Sequence, residues 1–464
     1  MSAASSPSLQ PHQHLLYSDS SHATTKPPAP YDDHYFHELT GDFKRAFVQT
    51  IVNIAKRLEI DCEECSQQYM LKLTHRGIVR YTYGYDIGLN NGNSGAICDD
   101  KAAASAVLGS HKPDPIPHIE HRLFLAPGKN GAESSWGKII DFAKSYNFNV
   151  VCKPKSGSGG NDVYHVTSQS ELEKIAQQLF AKSRDLCICP FYPIKKEIRV
   201  IILNGEALVA LEKVRPFIVG DGVNSLAQLI IQHAVKEQNA SVFDVFSKMD
   251  KEQKDQSFHS IPAKGQIVPL SWKHNLAQGA SAALIDIPKD YLEVPSQVTT
   301  MQDQSAQTSH SSTKASTTEI REVISLAKRA AKVAQVTFGS FDVVTVEGLP
   351  PMMMEMNKGI MMENLTRQLG VAGENIATYV FEKAIKLRFA LAELENCHES
   401  QAAASTDSGS GTPWSSSPPS DSPLISPSTS PHASPSLRPQ HLDTLKKFRP
   451  SQIPLYKANK NQTK

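Results

Sequence analysis

The sequence predicts an α+β fold in which antiparallel sheets are flanked by helices, and three observations carry that prediction. Apolar positions switch along the chain between the roughly 3.6-residue period of amphipathic helices and the alternation of half-buried strands. Two β-rich runs, Glu197–Leu203 and Ala207–Val214, are split by Asn204-Gly205-Glu206. An Asn-Gly step accepts the positive φ angles of a tight hairpin, so these strands should pair antiparallel. A helical pattern then leads into Ser340–Val346 and a further strand carrying Glu355–Asn357, which returns the chain to the same kind of sheet.

Taken in order, a helix from about Gly41 to Leu58 presents Phe43, Phe47, Ile51, Ile54 and Leu58 on one face. Strands follow at Met70–Leu73 and Ile78–Tyr83. Asp100 and Lys101 open a helix that must end before Pro113 and Pro115, because proline cannot donate to the preceding turn. Ser170 with Glu173 reads as a capping box for a helix through Leu172, Ile175, Ala176, Leu179 and Phe180. Leu186–Cys189 reads as a strand, with Cys187 and Cys189 expected half buried and half at a surface. Ser225 with Gln228 caps the helix through Leu229 and Ile230, and Ile320, Val323, Ile324, Ala327, Ala331 and Ala334 form the face of another. A last helix is expected over Gly373–Leu394.

Composition bounds the function classes. With 464 residues, 40% hydrophobic and 20% charged, the chain suits a soluble globular protein carrying some disorder. Its 48 basic and 47 acidic residues leave a net charge of +1, which argues against nucleic acid or an anionic membrane as partner. The chain has no apolar run of about 18 residues and no basic-then-apolar start, so a cytoplasmic location is expected. Seven cysteines do not suit a disulfide framework, and Cys62 with Cys65 lacks the second pair a zinc site needs, so packing thiols are expected. His12, His14, His22, His34 and His37 read as tail residues rather than ligands. Residues 1–30 and 395–464 are expected to be disordered tails; the second is rich in Ser and Pro from about 399 to 440 and has a basic end. The polar stretch 296–317 reads as an inserted surface loop.

The stretch Val150–Val163 brings Lys153-Pro154 into a loop of Ser156, Gly157, Ser158, Gly159 and Gly160. Glycines let backbone N–H groups converge on an anion, and a neighbouring lysine supplies the matching charge. Taken alone the loop fits either nucleotide binding or an ordinary glycine hairpin, since it is neither the Walker form nor the dinucleotide fingerprint. Asp342, Glu355 and Asn357 lie on strands that should be neighbours, a set of oxygen donors suited to magnesium. Glu355 stands among Met352, Met353, Met354 and Met356, and a carboxylate in such a strand needs a cation or another partner.

In this order, Lys101, Lys-Pro-Lys-Ser-Gly-Ser-Gly-Gly from Lys153, the hairpin Glu197–Pro216 and Glu355-Met356-Asn357 resemble the ATP-grasp superfamily. Arg215–Leu229 and Gly265–Gly279 are similar to segments of cyanophycin synthetase and of the ATP-grasp half of bifunctional glutathione-making enzymes, and the likeness runs from roughly Leu71 to Leu394. The resemblance implies two antiparallel-sheet lobes clamping ATP: a small lobe over 98–187 and a C-terminal lobe over 188–394, preceded by a small α/β region over 31–97. It implies that Lys101 and Lys153 lie on phosphate and near the adenine, under a lid formed by Ser156–Gly160. Pro190, Phe191, Tyr192 and Pro193 match the adenine hinge, and Glu197 matches the acid that accepts ribose hydroxyls. Arg199 and Arg215 match cations facing the phosphates or the acyl group, and Asn275 is a usable polar residue of its segment. Asp342, Glu355 and Asn357 match the ligands of one or two Mg2+ ions, with Mn2+ as an alternative.

The implied reaction is formation of an amide from a carboxylate and an amine, through an acyl phosphate, on an amino acid or peptide. A phosphotransferase acting on a hydroxyl and an ATP-binding regulatory protein stand as alternatives, and relatives are often homo-oligomers. Three departures mark the acceptor side: Ser271 stands where cyanophycin-like enzymes carry arginine, Ala277–Ala280 stands where they carry Ser-x-Gly-Gly, and Lys358–Asn364 replaces their proline-containing loop; Lys273 reads either as a replacement for the missing charge or as an exposed loop lysine. The additional domains of those enzymes have no counterpart in these residues, so synthesis of cyanophycin or of whole glutathione is not expected.

Overall fold

The computed structural model describes residues 45–128, 135–157, 159–182, 184–236, 258–276, 280–288 and 316–406. All but the end of the last helix belongs to one compact unit that extends to Ala402.

A five-stranded antiparallel sheet in the order β12-β9-β8-β13-β14 carries the site. Its strands are β8 (Ile194–Leu203), β9 (Glu206–Val214), β12 (Ser281–Ile285), β13 (Phe338–Val346) and β14 (Met352–Asn357). Asn204 and Gly205 turn β8 into β9 with φ of 49° and 80°, the left-handed pair that the Asn-Gly signal predicts. Strand β13 pairs with β8 on one side and β14 on the other and is buried along its whole length. On β14 the register slips: Asp342 faces Glu355, yet Val343 faces Met353, which leaves Met354 as an extra residue in a bulge.

The back of this sheet, through Ile198, Val200, Phe341, Val343, Met353 and Met356, packs on three helices. These are α2 (Gly92–Asp99), α3 (Lys101–Ser110) and α7 (Thr317–Val333), and the apolar face of α7 expected from the sequence is buried. At one end of the front, Ile201, Leu203, Leu211 and Phe338 meet α1 (Ala46–Arg57) and the long helix α9 (Val371–Thr406), where Phe381 packs edge-on against Phe47 at 5.2 Å. A three-stranded sheet, β1 (Asp61–Cys65), β2 (Met70–His75) and β3 (Ile78–Tyr83), closes this core. At the other end Val344, Val346 and Met352 meet Val151 and Cys189 of the smaller lobe.

That lobe is a four-stranded sheet in the order β4-β7-β5-β6. It comprises β4 (Arg122–Phe124), β5 (Val150–Pro154), β6 (Tyr164–Val166) and β7 (Leu186–Pro190), with α4 (Trp136–Ser145) and α5 (Gln169–Ala181) on its outer face. Strands β10 (Phe217–Val219) and β11 (Ile267–Pro269) form a ribbon under α6 (Leu226–Lys236). Ser225 and Gln228 exchange the expected capping-box hydrogen bonds at the start of α6. A short helix, α8 (Glu363–Leu369), precedes α9. Among the described residues no helix is long and apolar enough to cross a membrane.

Several expectations need correction. The cap of α5 is Ser168, whose hydroxyl accepts from the Glu171 N–H while Glu171 accepts from the Thr167 N–H; the true box lies two residues before the Ser170–Glu173 pair. Cys187 and Cys189 are both buried, because β7 is an inner strand with α4 and α5 on one side and the cleft on the other. Cys62 and Cys65 lie on β1, where their odd spacing sends them to opposite faces. Helix α9 starts at Val371 and runs on to Thr406, into the span assigned to a tail from 395. The insert 296–317 lies outside the described residues except for Ser316, which caps α7, and Thr317, its first residue. Phe43 and residues 1–30 also lie outside.

Candidate active site

The front of the large sheet carries a polar band between its two apolar ends. Alternation along β13 aims Asp342 at the same face as Phe338 and Val344, and the register sets Arg199 and Glu355 on either side of it. Asp342 is fully buried, and both of its oxygens are engaged. Oδ1 accepts from Arg199 Nε at 2.7 Å; Oδ2 accepts from Arg199 Nη2 at 2.8 Å and from Lys213 Nζ at 2.7 Å. Lys213 also donates to Glu197 Oε1 in a very short contact. Burial pushes the Asp342 carboxyl up, but Arg199 and Lys213 overcome it and hold the group well below the usual carboxylate range. For Glu197 burial wins, with Asp342 adding to it against Lys213 and Arg199, and its carboxyl is raised. Burial lowers the Arg199 guanidinium, but Asp342 more than offsets it, leaving Arg199 more firmly protonated than usual.

Lysines close the cleft from the opposite side. Asp100 caps α3 by accepting from the N–H groups of Ala102 and Ala103, which fixes Lys101 as the first helical residue; Lys101 Nζ reaches Glu355 Oε1 at 3.0 Å. Lys153, opposite Cys187 on β7, extends from the cleft face of the small sheet. Burial opposes its charge, but Cys189, Cys187, Glu355 and Glu197 outweigh it and raise its pKa. Lys155 Nζ pairs with Asp100 Oδ2 at 3.2 Å and ties the glycine loop to the start of α3. In that loop Gly159 and Gly160 have φ of 71° and 68°, where a side chain would be strained; Ser158 lies outside the described residues, and Ser156 and Gly157 lead into the turn.

The segment Pro190–Pro193, expected to act as a hinge, runs out of β7. Pro190 and Pro193 have no N–H, and that of Phe191 is taken by Asn149 O at 3.0 Å, so among the described residues Tyr192 supplies the uncommitted donor of the segment. Phe191 stacks on His165 with ring centroids 3.8 Å apart and meets the edge of Trp272 at 5.7 Å, an aromatic end to the cleft. Trp272 belongs to a strap, Ser271–Leu276, pinned by the buried His274, whose Nδ1–H donates to Lys213 O at 2.7 Å. Burial, foremost, lowers the His274 pKa to about 4, and Arg215 and Lys213 contribute. Asn275 lies on this strap, its carbonyl accepting from Ala280 N at 3.1 Å.

The structure therefore gathers Lys101, Lys153, Glu197, Arg199, Asp342 and Glu355 into one cleft, with Asn357 opposite Ser340 on the same face. Arg215 stands apart: among the described residues it makes no ion pair with the carboxylates and instead neighbours His274. Lys213 was not singled out in the sequence, although it continues the inward phase of Val209 and Leu211, where a lysine is out of pattern. His121 was missed as well. It is buried, its Nδ1 faces Ile119 O at 2.8 Å, its Nε2 has no partner among the described residues, and burial followed by the charges of Lys153 and Lys101 keeps it neutral.

The donor set fits a hard divalent cation. Two carboxylates and an amide face one cleft, and carboxylate and amide oxygens are the donors such an ion takes. Glu355, paired through one oxygen with Lys101, and Asn357 could hold such an ion, whereas both oxygens of Asp342 are committed to Arg199 and Lys213.

No family model matches the chain. Over 157 residues, 31% of its length, it is 24% identical to the glutathione biosynthesis bifunctional protein of Pasteurella multocida, and over 155 residues 24% identical to the cyanophycin synthetase of Trichormus variabilis. These matches span 21% and 17% of those proteins, so the chain corresponds to about a fifth of the curated relatives it matches. Among solved structures, the bifunctional glutathione synthetase from Pasteurella multocida superposes with a TM-score of 0.38 at 18% identity over 73% of this chain and 43% of that one. A D-alanine–D-alanine ligase from Bacillus anthracis gives 0.36 at 14% over 64% and 72%. The sequence matches, with the antiparallel lobes and the lysines and carboxylates that meet between them, support an ATP-grasp member similar to the bifunctional glutathione enzymes and the cyanophycin synthetases.

Proposed function

We propose that this chain is an ATP- and Mg2+-dependent ligase that joins the carboxylate of an amino acid or peptide to an amine through an acyl phosphate. One observation carries the reading: cations from the small lobe (Lys153), from α3 (Lys101) and from the large sheet (Arg199, Lys213) converge with Glu355 and Asp342, and Lys155 ties the glycine loop to the start of α3. The names of the sequence relatives, enzymes of glutathione and cyanophycin synthesis, support it.

A carboxylate resists amines because its leaving group would be oxide. In the proposed first step its oxygen forms a bond to the γ-phosphorus of ATP, the bridging bond to the β-phosphate breaks and ADP leaves. The amine nitrogen then bonds to the acyl carbon, the carbon–oxygen bond to phosphate breaks, and the departing phosphate can take up the amine proton. Such chemistry is governed by positioning and charge neutralisation. Lys153 and Lys101 would hold phosphate oxygens, the hinge at Tyr192 and the Phe191 ring would hold the base, and Glu197 would accept from ribose. Arg199 would steady Asp342 and the transferring group. Glu355 and Asn357, with Asp342 once released, would hold the cation, which supplies charge neutralisation on the phosphate oxygens when bound.

The test incubates the protein with ATP, Mg2+ and pools of amino acids and peptides, and follows ADP release and product mass with and without hydroxylamine. ADP release with a hydroxamate trapped from the carboxylate supports the ligase. ADP release with a phosphorylated hydroxyl and no hydroxamate overturns it in favour of phosphotransfer, and no nucleotide turnover with any pool overturns it outright.

A further inference from the structure

The strap Ser271–Leu276 bridges the lobes in a way the proposed chemistry has not used. It is fixed to the large lobe by His274 on Lys213 O, and by Leu270, whose N–H donates to Pro216 O at 2.8 Å. From there its next residues reach across. The Trp272 ring meets Phe191 of the hinge at 5.7 Å and His165 of β6 at 6.0 Å, both edge to face. His165 in turn bonds Asn149 Oδ1 at 2.7 Å, and the Asn149 carbonyl holds the Phe191 N–H. Lys273 lies over the Trp272 ring, 5.5 Å from its centroid, and its ammonium donates to Gly160 O at 3.4 Å. One dipeptide thus touches the base end of the cleft and the loop at its phosphate end.

A contact of 3.4 Å from an ammonium to a neutral carbonyl is long for a charged donor. The same loop turns through Gly159 and Gly160, the backbone form that gathers N–H groups around an anion. An arriving phosphate would outcompete the carbonyl, because it adds the attraction of opposite charges to a hydrogen bond that a neutral acceptor makes without it.

Resting on the ATP-dependent reading above, we infer that Lys273 is a phosphate-binding residue that the large lobe delivers to the glycine loop, and that Trp272 positions it from the hinge. Ser271, where arginine was expected, is then no loss of charge in the cleft: the cation has moved two residues along the strap, onto an aromatic support.

The experiment is calorimetric titration of the full chain with ATP, ADP and adenosine in Mg2+, comparing wild type, Lys273→Met, Lys273→Arg, Trp272→Ala and Lys153→Ala, with thermal melts as a fold control. Lys273→Met should weaken ATP and ADP about tenfold while adenosine stays within about twofold, the loss of one charge-assisted contact. Lys273→Arg should restore most of the affinity. Trp272→Ala should weaken all three ligands, and adding Lys273→Met to it should cost little more. Equal weakening of adenosine and ATP by Lys273→Met would make Lys273 a strut between lobes and overturn the inference. So would unchanged binding in Lys273→Met when Lys153→Ala has lost ATP, an outcome that leaves the ligase reading standing. If wild type binds no ATP, both fall.

Discussion

Replacing Lys213 with methionine tests the polar band most directly. Lys213 is 6% exposed and holds Asp342 at 2.7 Å while contacting Glu197. With Arg199 the four charges cancel; without Lys213 one negative charge remains in excess, buried. At an effective dielectric of about 20, a pair at that distance attracts by about 6 kcal/mol, most of it offset by the cost of taking both ions out of water. What the substitution exposes is the uncompensated carboxylate, a loss of about 3–5 kcal/mol measured by urea denaturation, with an unchanged m-value. The double variant Lys213→Met/Glu197→Gln leaves only the Asp342–Arg199 pair and should recover much of that loss. In the single variant Glu197 loses its main cation, so its carboxyl, already raised by burial, should rise further. A raised folded-state pKa means that the folded protein keeps its proton while the unfolded chain releases it, so the stability of Lys213→Met should fall as pH rises from about 5 to 8, more steeply than that of wild type. A single variant within about 1 kcal/mol of wild type, or a double variant as unstable as the sum of two singles, would refute the charge-balance argument.

Three further outcomes follow from the geometry. Glu355→Gln should abolish ATP turnover while changing stability by no more than about 1 kcal/mol, since Glu355 is a partly exposed member of a single pair with Lys101; turnover near wild type would remove it from the site. Ser168→Ala should cost about 1 kcal/mol by denaturation and Ser170→Ala almost nothing, because only Ser168 caps α5. His274, whose pKa is lowered to about 4, should make stability drain away as pH falls from about 6.5 toward 4, by up to about 3 kcal/mol, because over that window the unfolded chain binds a proton that the folded one refuses. A His274→Gln variant should flatten that part of the stability–pH curve, and an unchanged slope would contradict the burial argument.

Much of this arrangement was legible in the residues. The Asn204-Gly205 turn, the α7 face and the pairing of the Asp342 strand with the Glu355 strand each have a local signal: a turn residue with positive φ, a helical period, a carboxylate among methionines. What stayed hidden depends on partners distant in the chain. Lys213 looks like a strand-end lysine until β8 and β13 bring Glu197 and Asp342 to it, and Cys187 looks half exposed until the other lobe covers the cleft face of β7. β1 was missed because Asp61-Cys62-Glu63-Glu64-Cys65 has no apolar alternation; it is recruited by pairing with β2. The Ser168 cap was displaced by two residues because two Ser-x-x-Glu pairs overlap there, and only the backbone geometry chooses between them.

The extra residue at Met354 decides what β14 can do. In an unbroken strand Met353 and Glu355 would share a side, and the chain would have to expose the methionine to the cleft or drive the acid into the oily layer beneath. Because one backbone step is skipped, Met353 and Met356 stay with the helices behind the sheet while Glu355 and Asn357 look forward beside Asp342. Deleting Met354 should therefore leave both sides where they are: Met353 and Glu355 become neighbours on a regular strand, still facing opposite ways, and what disappears is the local bend that the extra residue puts into β14 beside the acid.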